Sequence, residues 1–203
     1  MRPLIPPSFY GGPRDWSQDG SRMLIIRVNP QSLMEVGLVQ RDDAGRWRET
    51  PVRQTSYSRH LSMFSPDGRY VVYSTGSGDT DHENLERSVF VESFPDGEER
   101  LRVALSGRQP RWARKRNEIY YLDGGDLVAV EIRTEPRLEI LSRKKLFRMF
   151  ELPYVRHNLV FPQYDAAPDG EWFLKIDPVD RRNTDARPRI RVVQNWAEGY
   201  ASD

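Results

Sequence analysis

Two acidic stretches hold the residues best suited to bind an ion or move a proton: GDTDHEN at 78–84 and DGGD at 123–126. Their carboxylates, Asp79, Asp81, Glu83, Asp123 and Asp126, are hard oxygen ligands beside glycines that permit tight turns, which suits calcium. Neither string follows the twelve-residue spacing of an EF-hand loop. Asp123-Gly124-Gly125-Asp126 reads more simply as the turn of a hairpin between Tyr121 and Leu127. The three histidines, His60, His82 and His157, lie in unrelated contexts. No H-E-x-x-H or H-x-x-E-H spacing brings them into a zinc site, so they read as solvated or locally hydrogen-bonded side chains. The chain has no cysteine, which excludes disulfides and thiolate metal or redox centres. A serine nucleophile would need a G-x-S-x-G elbow before a helix, and TGSGDT at 75–80 has the wrong spacing and no helix after it. The phosphate-cradling G-x-x-x-x-G-K-[ST] string and the protein-kinase signatures are absent as well. No catalytic residue and no cofactor is therefore assigned, and Asp79, Asp81, Asp123 and Asp126 stand as the metal candidates.

Charge points the same way. Thirty-one basic side chains balance 30 acidic ones, for a net charge of +1 over 203 residues. The basic pieces RKR (114–116), SRKKLFR (142–148) and DRRNTDARPRIR (180–191) are scattered among acids with no ordered stacking platform. They read as solvated faces, and no nucleic-acid partner is expected. No run of 18 apolar residues occurs, and MRPLIPPSFYGG lacks the apolar region of a secretory signal, so membrane insertion by this chain is not expected.

What positions these residues is a repeat. FSPDGRYVVYS at 64–74 is echoed by WSQDGSRMLII from Trp16, WARKRNEIYYL from Trp112 and AAPDGEWFLKI from Ala166. The anchors Trp16, Phe64, Trp112 and Ala166 stand roughly 50 residues apart, the period of a propeller blade. Each anchor is preceded by an inner-strand candidate: Gly12 to Asp15, Arg59 to Met63, Gln109 to Arg111 and Phe161 to Asp165. Each is followed by a second at Met23 to Val28, Tyr70 to Ser74, Glu118 to Leu122 and Trp172 to Ile176. A third candidate falls at Met34 to Gln40, Ser88 to Phe94, Leu127 to Arg133 and Ile190 to Trp196. Three units add an outer strand at Trp47 to Val52, Arg100 to Leu105 and Lys145 to Met149. The fold class is all-β, with about four visible propeller blades of four antiparallel strands, near 12–53, 59–105, 108–149 and 161–197. The segment 136–161 is expected to be irregular.

The turn residues recur for mechanical reasons. Pro66 presets φ, Asp67 accepts a backbone hydrogen bond, and Gly68 tolerates positive φ; Asp19-Gly20 and Asp169-Gly170 repeat the last two. In the third unit Lys115-Arg116-Asn117 replaces the Asp-Gly pair, with Asn117 expected to take the left-handed position. Trp16, Trp112 and Trp196 complete the structural repeat set and read as blade-to-blade packing, whereas Trp47, on an outer strand, is the tryptophan expected to be exposed.

From Asp15 to Trp196 the chain resembles the TolB-like, WD-repeat-like propeller modules of bacteria, including those C-terminal to some membrane-linked serine/threonine kinases. The resemblance rests on DWSQDGSRMLI, FSPDGRYVVYS, the VFVESFPDGEERLRVALSGRQPRWARKRNEIYYLDGGDLVAVEI stretch, YDAAPDGEWFLKI and RIRVVQNWAEGY. It implies a non-catalytic interaction or ligand-sensing module with a protein partner, part of a ring of six or more blades in a longer protein. In that case the module would be extracytoplasmic if its parent is membrane-linked and cytoplasmic otherwise. Two other readings stay open: a propeller-associated hydrolase or lyase using the loop carboxylates, and a structural spacer or dimerisation module. With only four visible blades, the first and last are expected to have open apolar flanks and to self-associate.

Overall fold

The architecture is that of a computed structural model, which describes residues 11–28, 34–50, 52, 58–76, 88–149, 162–177 and 189–194. Every regular element among them is a strand. The first sheet holds β1 (Gly11–Trp16), β2 (Arg22–Val28), β3 (Met34–Arg41) and β4 (Trp47–Thr50). The second holds β5 (Ser58–Phe64), β6 (Tyr70–Gly76), β7 (Val89–Ser93) and β8 (Arg100–Ala104). The third holds β9 (Arg108–Trp112), β10 (Glu118–Asp123), β11 (Asp126–Arg133) and β12 (Glu139–Arg148). Three strands make the fourth: β13 (Tyr164–Ala166), β14 (Trp172–Asp177) and β15 (Arg189–Gln194). Within each sheet consecutive strands pair antiparallel, the meander of a blade.

Side chains alternate across a strand, so a sheet buried on both faces needs apolar residues at successive positions. The middle strands meet that demand. In β6, Val71 and Tyr73 pack with Leu24, Val36 and Leu38 of the first blade, while Tyr70 and Val72 pack with Trp112, Ile119 and Tyr121 of the third. In β10, Ile119 and Tyr121 face the second blade, whereas Tyr120 and Leu122 meet Tyr164 and Phe173 of the fourth. Inner strands run side by side, with β5 packed between β1 and β9. Here the anchor amides tie neighbouring blades together. Phe64 N donates to Asp15 Oδ2 at 2.8 Å, and at the equivalent place Trp112 N donates to Met63 Sδ at 3.3 Å.

All four anchor turns close with one backbone bond, from Ser17 N to Arg22 O, Ser65 N to Tyr70 O, Ala113 N to Glu118 O and Ala167 N to Trp172 O. Where serine is present its hydroxyl donates to the turn aspartate and accepts the returning amide, as Ser65 does with Asp67 and Tyr70 N. The hydroxyl of Ser17, helped by Ser21, holds the Asp19 carboxyl well below the usual carboxylate range. Gly68, at φ 69°, also leaves room for the Arg22 guanidinium, which the first blade extends over the Phe64 ring.

Several expectations need correction. Asn117 is not left-handed: among the described residues the non-glycine positions with positive φ are Leu61 and Gln109, both at 52°. The third turn closes through its backbone bond without a left-handed residue, and its basic side chains reach neighbouring blades instead. Arg114 pairs with Asp15 of the first blade and Arg116 with Glu171 of the fourth. The stretch expected to be irregular contains β12, whose exposed residues are polar apart from Leu141, as befits an outermost strand that meets water. Trp16 is 43% exposed, packed edge-to-face on the half-buried Trp47 at 5.4 Å, because it lies on the flank of the first blade away from the second. Met23, Ile25 and Val39 on that flank are nevertheless buried, whereas Trp172, Ile176 and Val192 of the fourth blade are exposed. Trp196 lies outside the described residues.

The two ends of the molecule are built differently. At one end every connection has five or six residues: 17–21, 65–69, 113–117 and 167–171 between first and second strands, and 42–46, 94–99 and 134–138 between third and fourth. At the other end, consecutive described strands are separated along the chain by as few as two residues, 124–125, and as many as fifteen, 149–163. Uniform turns are what a repeat needs merely to close its hairpins; unequal connections on a rigid scaffold are where binding surfaces arise.

Candidate functional site

At the variable end, the β10–β11 hairpin and β12 enclose a cleft of about 460 Å³ on the side of the third blade that faces the second. Tyr121, Asp123, Asp126, Arg143, Lys145 and Arg148 line it, together with Gly124, Gly125 and Val128. The strand register explains the grouping. Val130 pairs with Arg143, Val128 with Lys145 and Asp126 with Arg148, so every second residue of β11 and its partner on β12 share one face. That β12 would carry three cations to the hairpin was not readable from SRKKLFR alone, because the bulge opposite Leu127 and Val128 resets which side chains share that face.

Ion pairing fixes the basic side chains. Lys145 Nζ is 2.6 Å from Asp126 Oδ2, and Arg148 Nε is 3.0 Å from Asp126 Oδ1. Arg143 donates to the carbonyl of Val103 across the blade boundary. The Tyr121 ring is held by a close approach: a Cβ on Gly107 would come within 2.7 Å of it. Burial pushes the Tyr121 hydroxyl above the ordinary phenol range, and nearby Arg143 opposes the shift.

Of the acidic candidates, Asp123 and Asp126 meet as the paired ends of a tight hairpin, and the Asp126 carboxylate is occupied by cations. Asp79, Asp81, Glu83, His82 and His157 lie outside the described residues. His60 is buried in β5. Among the described residues, no group of three histidine or acidic side chains could hold a metal ion.

Polar residues between blades escaped the sequence reading. Glu92, 2% exposed in β7, accepts from Arg59 Nη2 at 2.8 Å and from the Tyr73 hydroxyl at 2.6 Å. Gln109 exchanges hydrogen bonds with Gln163 at 3.0 and 2.8 Å, and its carbonyl accepts from the Tyr164 hydroxyl. Gln109 and Leu61 stand three residues before their anchors, and the shared left-handed backbone at this position has no signature in the residue types.

Burial also makes the tyrosines a pH probe. It raises Tyr120, Tyr121 and Tyr164 above the phenol range, and raises Tyr70 to about 12 with help from Glu99. A folded-state value above the unfolded value of about 10 means that the native state keeps protons the unfolded chain has lost. This stability is complete below pH ~10 and is lost as pH rises through the folded values. The melting temperature should therefore fall steadily above pH ~10, with much of the phenolate absorbance emerging as the chain unfolds. Complete phenolate titration near pH ~10 without unfolding would show these rings to be solvated.

No family model matches this chain, and no curated protein matches it. Solved structures do. TolB from Acinetobacter baumannii aligns over 92% of this chain and 41% of its own, at 12% identity and a TM-score of 0.55. A functionally unknown protein from Desulfotomaculum acetoxidans aligns over 94% of this chain and 58% of its own, at 11% identity and a TM-score of 0.58. The periplasmic gluconolactonase PpgL of Pseudomonas aeruginosa aligns over 88% of this chain and 56% of its own, at 15% identity and a TM-score of 0.51. This chain thus spans 41% to 58% of the length of these structures. Identities this low establish the fold alone, a β-propeller. Among the described residues no helix is long and apolar enough to cross a membrane.

Proposed function

We propose that the chain is a non-catalytic binding propeller that engages a protein partner or a ligand at the end with unequal strand connections. The observation that carries this reading is the contrast between the ends, with uniform turns at one and chain separations of two to fifteen residues between described strands at the other. Leu105, a large apolar side chain 66% exposed in the β8–β9 connection, lies at the same end. The sequence supports the non-catalytic part, since it carries none of the kinase, P-loop, serine-hydrolase or zinc spacings.

The test is chemical cross-linking of the tagged chain to its partner, comparing Leu105→Glu at the variable end with Arg137→Glu at the uniform end. Capture should fall with the first variant and survive the second. The reverse pattern would overturn the assignment of the binding end. Ester or lactone turnover that disappears in Asp123→Asn would overturn the non-catalytic reading.

A further inference from the structure

The cleft beside the β10–β11 hairpin has a chemistry more specific than a general binding end. Three cations surround it against the two carboxylates of Asp123 and Asp126. Each cation is anchored by one contact and keeps other donors, because a guanidinium has five N–H groups and an ammonium three. Arg143 uses one on Val103 O, Lys145 spends one on Asp126, and Arg148 directs Nε at the same carboxylate. Anchored cations are already positioned, so an incoming anion need not restrain long flexible side chains.

A second, independent observation is the Tyr121 hydroxyl. The residue is 1% exposed and lines the cleft, and among the described residues its hydroxyl has no hydrogen-bond partner. The hydroxyl opens onto the cleft as a donor that no acceptor among the described residues uses. Here the ring is fixed by Gly107, and the hydroxyl borders the same space as Arg143 and Asp123. Asp126 is not an open acceptor, because Arg148 Nε stands 3.0 Å from its Oδ1 and Lys145 Nζ 2.6 Å from its Oδ2. One available donor stands beside a cluster of cations.

We propose that this cleft binds a small organic anion, its carboxylate or phosphate held by Arg143, Lys145 and Arg148 with the Tyr121 hydroxyl donating to it. The size fits a small molecule, for which pockets of roughly 300–1,000 Å³ are usual. This inference rests on the reading of this end as the binding end.

The test is isothermal titration of the whole chain at low salt with two probes, inorganic phosphate and malonate, which separate phosphate from carboxylate recognition. At least one should bind saturably at a single site. Tyr121→Phe keeps the ring in place and should weaken that binding about tenfold or more, the effect of one charge-assisted hydrogen bond. Lys145→Ala, at an exposed side chain, and Arg143→Gln should each weaken it by about tenfold, with Arg137→Gln at the opposite end unchanged. If Arg143→Gln fails to fold because it has lost its link to Val103, Tyr121→Phe and Lys145→Ala still decide. Flat titrations with both probes, or equal affinity in the parent and the cleft variants, would overturn the proposal. Flat titrations combined with loss of partner capture in Leu105→Glu would remove the anion site alone and leave the binding end standing.

Discussion

Glu92→Ala should destabilise the protein by about 3–5 kcal/mol, the cost of breaking a buried ion pair by removing one partner. Glu92 and Arg59 are each 2% exposed, on the face of the second blade that packs against the first. The Arg59 guanidinium lies over the Tyr73 ring at 5.0 Å, and Tyr73 itself donates to the carboxylate. Arginine cannot shed its proton to escape the low-dielectric interior, so truncating Glu92 leaves a full charge buried and removes one acceptor of the Tyr73 hydroxyl. Arg100, with its Nε 3.6 Å from Glu92, loses less because a third of its side chain already meets water. For a domain of this size the melting temperature should drop by on the order of 10 °C. Replacing both partners, as Arg59→Met with Glu92→Leu, should recover most of that loss, because an apolar pair of similar volume needs no desolvation of charge. A loss below about 1 kcal/mol for Glu92→Ala would mean that water reaches the pair, and that the first two blades do not close over it.

Trp112→Ala should cost a similar amount, about 3–5 kcal/mol for truncating a buried aromatic. Trp112 is 1% exposed in the cluster that joins the second and third blades, against Tyr70, Val72, Ile119 and Tyr121. Its indole Nε1 is buried without a hydrogen-bond partner among the described residues. Trp112→Phe, which removes that orphan donor and leaves a smaller void, should therefore cost well under half as much. The equivalent change in the first blade, Trp16→Ala, should cost about 1 kcal/mol, chiefly the edge-to-face contact with Trp47. Chemical denaturation of the three variants checks the series. Equal losses at Trp16 and Trp112 would show that register position alone sets burial, contrary to the exposure of Trp16.

The contrast between those two tryptophans shows how far residue types lead. The blade pattern was legible because its causes are local. YVVYS and EIYYL are apolar at successive positions, which a strand tolerates only when neighbours cover both of its faces. Ser65-Pro66-Asp67-Gly68 carries the donors, acceptor and φ freedom that its own turn uses. DGGD was legible as a hairpin for the same reason. These signals placed the repeat, the anchors and most strands within a residue or two.

What only the tertiary structure decided involves partners distant in the chain. Arg59 and Glu92 are ordinary surface residue types until two blades bury them together. Asp15 gains its role from the Phe64 amide and from Arg114, which the departing third turn sends back to the first blade. Gln109 shares its left-handed backbone with Leu61 at the same blade position, so a preference of glutamine does not set it, and Gln163 and Tyr164 of the next blade hold its side chain and carbonyl. Trp16 has the anchor's chemistry but lies on a flank that the second blade does not cover. Only the end of β12, from Lys145, was recognised, since an outer strand facing water needs few apolar residues. The anion cleft depends on the bulge that aligns Arg143, Lys145 and Arg148 with the hairpin, and on the Gly107 backbone that holds the Tyr121 ring beside them. Turn chemistry and strand alternation act over a few residues and are written in the order of the chain. Burial, charge pairing and the shape of a cleft are set by which blades meet, and so appear only once the sheets are packed.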